Sequence, residues 1–162
     1  MNNYKYGLLI LFFSTHLTGC ATKYNPDPSI AQGLVEGIVI QQPFTITNSQ
    51  TSSESHKLHF GQAIVNYREF TESLVQALNQ AYGLSADAAS RQSDKNLQVS
   101  VTDIESIISG LGPKFIVSAE VASGEQLIEY FDVYGSDDLD DAFKELVTAI
   151  LQNEKIIAYL NE

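Results

Sequence analysis

Few side chains in this sequence have the type and spacing for chemistry, and Cys20 comes first. It is the only cysteine among 162 residues. A thiolate is a nucleophile that can be alkylated or acylated, and with no second cysteine it closes no intramolecular disulfide. It follows Leu17-Thr18-Gly19 and the unbroken apolar run Leu8–Phe13, with Lys5 ahead of them. That layout is a secretory signal peptide over residues 1–19 with a small-residue cleavage region. The apolar run falls far short of the ~20 residues that span a bilayer as a helix. His56 and His59 form His-x-x-His, two imidazoles at a spacing open to a metal. No third ligand or supporting carboxylate lies near them in sequence, so a solvated loop is the reading and no metal site is expected. Asp137, Asp138, Asp140 and Asp141 lack the alternating acids, central glycine and closing glutamate of a calcium loop. They suit the positive end of a helix dipole instead. Serines are plentiful, but no Gly-x-Ser-x-Gly or histidine base stands with them. Ser109-Gly110-Leu111-Gly112 reads as a turn, without the spacing of a phosphate loop. No catalytic residue and no cofactor are expected.

Composition narrows the partners. Residues 1–19 carry one charge, Lys5, so beyond them eight Lys and Arg face twenty Asp and Glu, a net of −12 against −11 for the whole chain. Nucleic acid is met with clustered Lys and Arg, and flat binding to anionic lipid with polybasic segments. Neither composition is present, so no nucleic-acid partner is expected. The 143 residues left after position 19 suffice for one domain with a real core, held by packing alone.

The elements that would position these groups follow from periodicity. Residues 20–33, with Pro26 and Pro28 and no apolar period, read as a tether, thirteen residues of which reach roughly 40 Å when extended. Residues 34–162 read as the domain. Leu34–Gln42 is a β-branched run ended by Pro43, the expected first strand, with Phe44–Thr47 extending it. Asn48–Ser55 is a Ser/Thr-rich loop, and Leu58–Val65 a short strand or irregular segment. Phe70, Leu74, Ala77, Leu78 and Ala81 form one stripe of a helix over Tyr67–Tyr82. Asn66 and Glu69 form a variant capping box before it, and Gly83 caps its end. Leu97, Val99 and Val101 alternate in a strand that continues through Ile104, Ile107 and Ile108 past a bulge. Phe115–Val121 and Gln126–Tyr134 are two more strands around a Ser123-Gly124-Glu125 turn. Leu139, Phe143, Leu146, Val147, Ile150 and Leu151 stripe a second helix, and Ile156–Leu160 continues it or forms a short separate one. The order predicts an α+β fold: a mostly antiparallel sheet of about four strands with two main helices on one face. Gln126–Tyr134 is apolar on both sides. Ile128, Tyr130 and Tyr134, flanked by Glu129 and Asp132, form a candidate partner surface on the sheet face away from the helices. The competing expectation is that Phe44–Ile46 or the C-terminal segment covers that face.

Leu17-Thr18-Gly19-Cys20 resembles the lipobox of bacterial lipoproteins. The resemblance implies recognition of Leu17, Thr18 and Gly19 by a signal peptidase, cleavage before Cys20, and lipid on the Cys20 sulfur and new amino group. It also implies the outer membrane, because Ala21 and not Asp follows the cysteine. The lipobox, the strand Val35–Ile40 with Pro43, the helix Phe70–Tyr82 with Gly83-Leu84, the strand Leu97–Ile104 and the closing Leu146–Leu151 with Lys155–Leu160 together resemble the YajG-like family of envelope lipoproteins. That family implies location and fold more than activity, and supplies no catalytic residues. Related small folds occur in lipoproteins that assist lipopolysaccharide assembly or lipid-transporting ABC systems. The expectation is a lipid-anchored binding or accessory domain in the periplasm, with the membrane and another envelope protein as partners. An auxiliary subunit of a lipid-transport or envelope-assembly complex is the first alternative, and a hydrolase the second.

Overall fold

A computed structural model of the chain describes residues 21–31, 40, 42–58, 63–84, 95–109, 112–135 and 138–162. The expected strand Leu34–Gln42 falls almost wholly outside these residues, as do the turn at Gly110-Leu111 and His59. The described elements are β1 (Thr22–Tyr24), a 3-10 turn (Pro28–Ala31), β2 (Phe44–Asn48), β3 (Ser55–Lys57), β4 (Ala63–Asn66), α1 (Tyr67–Ala81), β5 (Lys95–Ser109), β6 (Gly112–Ser123), β7 (Gln126–Gly135), α2 (Leu139–Leu151) and α3 (Glu154–Asn161).

The fold is α+β. A four-stranded sheet runs β2-β5-β6-β7, antiparallel except for the parallel β2–β5 edge. Strand alternation puts Leu97, Val99 and Val101 of β5, Val117, Ala119 and Val121 of β6, and Phe131 of β7 on one buried face. Both main helices press onto that face, through Phe70, Leu74, Ala77 and Leu78 of α1 and Ala142, Phe143, Leu146, Val147 and Ile150 of α2, each at most 1% exposed. The bulge expected in β5 is the register shift between Val101 and Asp103. Gly124, at φ +59°, makes the two-residue β6–β7 hairpin turn.

The α1 ends are those the sequence specifies. The Asn66 side chain accepts from Glu69 N at 3.1 Å. At the other end Leu84 N donates to Asn79 O at 2.8 Å and Gly83 N to Gln80 O at 3.1 Å, with Gly83 at φ +66°. This is a Schellman cap. α3 is a separate short helix capped by Asn153 and pinned to β7, where Glu129 accepts from Lys155 Nζ at 2.8 Å.

The structure differs from the expectation over Ala21–Ala31. Three of these residues form β1, which pairs in parallel with β4, and β4 pairs with β3 to give a second, three-stranded sheet. Lys23 pairs with Glu69 at 2.6 Å, the Tyr24 hydroxyl donates to Asp140, Ser73 Oγ donates to Asn25 Oδ1 at 3.1 Å, and Pro26 is buried. The prolines that suggested a free segment end a strand and start a turn packed on α1. Leu58–Val65 also resolves in part, since Ala63–Asn66 is β4, with Val65 fully buried.

Tyr82 yields a pH prediction. Its ring meets Phe44 edge-on at 5.2 Å, and its hydroxyl is buried with no hydrogen-bond partner among the described residues. Burial pushes the Tyr82 hydroxyl up to about 12. Tyr67 is pushed up to about 12 as well, mainly by burial and, to a smaller extent, by Asp103. The folded values lie above the usual tyrosine value near 10, so the folded state holds these protons more tightly. Their contribution is fully present below pH ~10 and is lost as pH rises toward 12. Urea midpoints should therefore fall between pH 10 and 12. Tyr82→Phe should shrink that fall and hold or raise stability at pH 7 by up to about 1 kcal/mol, because no hydrogen bond is lost. A fall as steep in Tyr82→Phe as in the wild type would refute the assignment.

Candidate functional site

Two surfaces are built from groups the sequence marked. The first is the sheet face opposite the helices. Phe44 and Ile46, expected as a possible cover, are 5% and 7% exposed in the core from the edge strand β2. α3 lies against β7 through Glu129 and Asn153. Among the described residues neither segment covers Tyr130 and Tyr134, which are 46% and 64% exposed.

Ile128 does not join them. A register shift at Val121/Ala122 sets Glu129 opposite Val121 but Leu127 opposite Ala122, which interrupts the alternation of β7 at residue 128. Ile128 is half-buried and packs against the core, while Leu127 is 53% exposed. The exposed apolar set on this strand is Leu127, Tyr130 and Tyr134. The flanking acids are both engaged. Ser118 Oγ donates to Asp132 Oδ1 at 2.6 Å, and the Lys155 ammonium, then the Asn153 amide, hold the Glu129 carboxyl below its usual range. Across the sheet Tyr130 stands opposite Glu120, and Tyr134 opposite Ile116. The face is thus aromatic and apolar with carboxylates between, a pattern suited to a protein surface with donors.

The second surface is a cleft of about 420 Å³ lined by Ser49, Gln50, Thr51, Ser52, Glu54, His56, Tyr67, Ser100 and Thr102. β2 ends at Asn48 and leaves the edge of β5 open beyond it. The Ser/Thr loop fills that edge: Ser49 N donates to Val99 O at 2.9 Å and the Gln50 amide donates to Val101 O. The helix completes it. Thr71 Oγ1 accepts from Val101 N at 3.1 Å and the Tyr67 hydroxyl accepts from Ile104 N at 3.1 Å. Tyr67 also donates to Asp103 at 2.9 Å. This side-chain pairing closes a strand edge that would otherwise invite association. Sequence reasoning passed over Thr71, whose signal was a polar residue, like Ser73, beside the apolar stripe of α1.

His56 lies on β3, its ring stacked on Tyr67 at 4.3 Å and 14°. Among the described residues no hydrogen bond joins His56 to a serine or a carboxylate, so the cleft brings together Glu54, His56 and serines without linking them as a relay. Asp138 caps α2, accepting from Asp141 N at 2.9 Å, and Asp140 takes the Tyr24 hydroxyl. Those acids serve the helix end, as their order suggested; Asp137 lies outside the described residues. So do Leu17, Thr18, Gly19 and Cys20. No helix among the described residues is long and apolar enough to cross a membrane. No protein-family model matches the chain, and no curated protein or solved structure matches it.

Proposed function

We propose that this protein is a bacterial envelope lipoprotein, anchored in the outer membrane by lipid on Cys20, whose α+β domain binds another envelope protein through the outer face of its four-stranded sheet. One observation supports the binding surface: Tyr130 and Tyr134 stand open on a sheet whose other face carries the two main helices. Tyrosine supplies a large contact area with few torsions to freeze and keeps a polar tip. The anchor rests on the Leu17–Cys20 pattern, and the lipobox and YajG-like resemblances point to the same compartment. The mechanism is confinement. Two or three acyl chains make membrane attachment effectively permanent, where a single chain is marginal. Holding the domain at the membrane raises its effective concentration toward a membrane-bound partner.

Intact mass and chemical crosslinking in isolated envelopes test both halves. The wild-type protein should start at Cys20 and carry the mass of diacylglycerol and acyl chains, which Cys20→Ala should lose together with membrane association. Tyr130→Ser with Tyr134→Ser should keep the lipid and the fold and lose the crosslinked partner. An unmodified mass refutes the anchor. Crosslinking undiminished in the double variant refutes this face as the binding surface.

A further inference from the structure

The pairing of β1 fixes the direction in which the chain leads back toward Cys20. β1 starts at Thr22, two residues past Cys20, and two residues of chain span at most about 7 Å. Thr22 pairs with Ala63, and Leu58 N donates to Ala63 O at 3.1 Å, so Thr22, Ala63 and Leu58 form one row at an end of the small sheet. β1 runs parallel to β4, so the chain leading back to Cys20 leaves beyond that row and away from the start of α1.

The long β5–β6 hairpin extends in the same direction. His56 stacks on Tyr67, whose hydroxyl meets Asp103 and Ile104. One residue further along each strand, Lys57 and Leu58 share a cleft with Ile104, Glu105 and Ser106. β3 and β5, which belong to different sheets, thus flank one cleft, and β5 goes on past it to Ile107 and Ile108. These two side chains are 44% and 60% exposed, consecutive, and close to the far end of the ladder at Ser109↔Gly112. Lys114 stands directly opposite Ile107 and is exposed, and Lys57 is exposed in the neighbouring strand. Of the acids gathered at the start of α2, Asp140 is held by Tyr24, which pairs with Val65 two rows back from Thr22.

We infer that the β5–β6 hairpin end, led by Ile107 and Ile108 with Lys114 beside them, dips into the lipid surface to which Cys20 is attached. The occupant is lipid because the anchor emerges at this same end with almost no slack. Two consecutive isoleucines, one on each face of the strand, suit the acyl boundary, and Lys114, level with Ile107 and one row back from Ile108, can reach up to the phosphate level. The inference rests on the lipid-anchor reading and adds an orientation to it: the domain sits on the bilayer with its sheet upright, instead of floating some 40 Å away on a tether.

The sequence has no tryptophan, so one introduced indole is a clean depth reporter. Full-length lipidated protein carrying Ile108→Trp is reconstituted in vesicles of phosphatidylethanolamine and phosphatidylglycerol with brominated acyl chains. A second protein carries Tyr130→Trp, a position seven β6 residues further from the membrane, about 23 Å at strand rise. I108W emission should shift to the blue and be quenched by the bromines, while Y130W emission keeps its intensity. A protein whose mass proves the lipid but whose I108W emission is unquenched, or quenched no more than Y130W, overturns the seating and leaves the anchor standing. A protein without lipid mass removes the anchor and the seating together.

Discussion

Phe143→Ala should cost about 3–5 kcal/mol of folding stability, the range for emptying a buried aromatic site. Phe143 is fully buried on α2, and Phe70 of α1 is 1% exposed. Their rings meet edge-to-face at 5.4 Å and 80°, the arrangement that sets the positive edge of one against the negative face of the other. The pair is where the two main helices touch across the sheet. Domains of this size hold roughly 5–15 kcal/mol in total, so the loss is about a fifth or more of what keeps the chain folded. The thermal midpoint should fall by roughly 10–20 °C. Urea unfolding gives the size, and a cycle of Phe70→Leu, Phe143→Leu and both isolates the ring–ring part at about 0.5–1.5 kcal/mol. A loss below 1 kcal/mol for Phe143→Ala would mean that α2 is not seated against α1 in this way.

That core was legible because it repeats. A stripe at three- and four-residue spacing marks α1 and α2, and alternation marks β5, β6 and β7, so local pattern and global packing agree at these places. Caps were legible for the same local reason: Asn66 and Gly83 act within four residues of themselves. What local pattern could not carry was pairing between distant segments. Thr22-Lys23-Tyr24 shows no strand signature, and it is a strand only because β4, some forty residues on, offers an edge. Its side-chain partners lie further still, Glu69 46 residues from Lys23 and Asp140 116 residues from Tyr24.

The candidate surface shows the same limit on a smaller scale. Alternation correctly set Tyr130 and Tyr134 together and open. It exchanged Leu127 and Ile128, because one shifted residue in the β6–β7 ladder reverses the faces beyond it, and nothing in Leu127-Ile128-Glu129 announces that shift. Glu129 and Asp132 looked like a charged frame for the patch. Each has instead a partner on a different element, Lys155 and Ser118. The hairpin isoleucines read in sequence as ordinary strand residues, and become informative only when read with the parallel pairing of β1 and β4.

Gly135→Ala should be about as damaging as the loss of Phe143, although it adds a single methyl. Gly135 ends β7 opposite Phe115, directly beneath the first turn of α2. A Cβ there would sit 2.5 Å from Ala142 N, 2.7 Å from Asp138 O and 2.8 Å from Ala142 Cβ. Two of these three atoms are backbone, so no rotamer change relieves them, and α2 must lift from β7 or the strand must bend. Overpacking ordinarily costs about 1–3 kcal/mol, where side chains can give. Here the helix itself must move, and Ala142, Phe143 and Leu146, all fully buried, would move with it. A loss of about 3 kcal/mol or more is expected in urea unfolding. The rescue experiment separates the causes. Ala142→Gly removes only the methyl–methyl contact and adds about 1 kcal/mol of helix cost of its own. The double variant should therefore be no more stable than Gly135→Ala alone. Recovery to wild-type stability would show that the methyl contact was the whole clash and that the backbone of α2 stands further from β7. Gly83 and Gly124 are needed for their positive φ, with open space where a Cβ would be. Gly135 is needed for closeness, the condition under which helix and sheet can share one core.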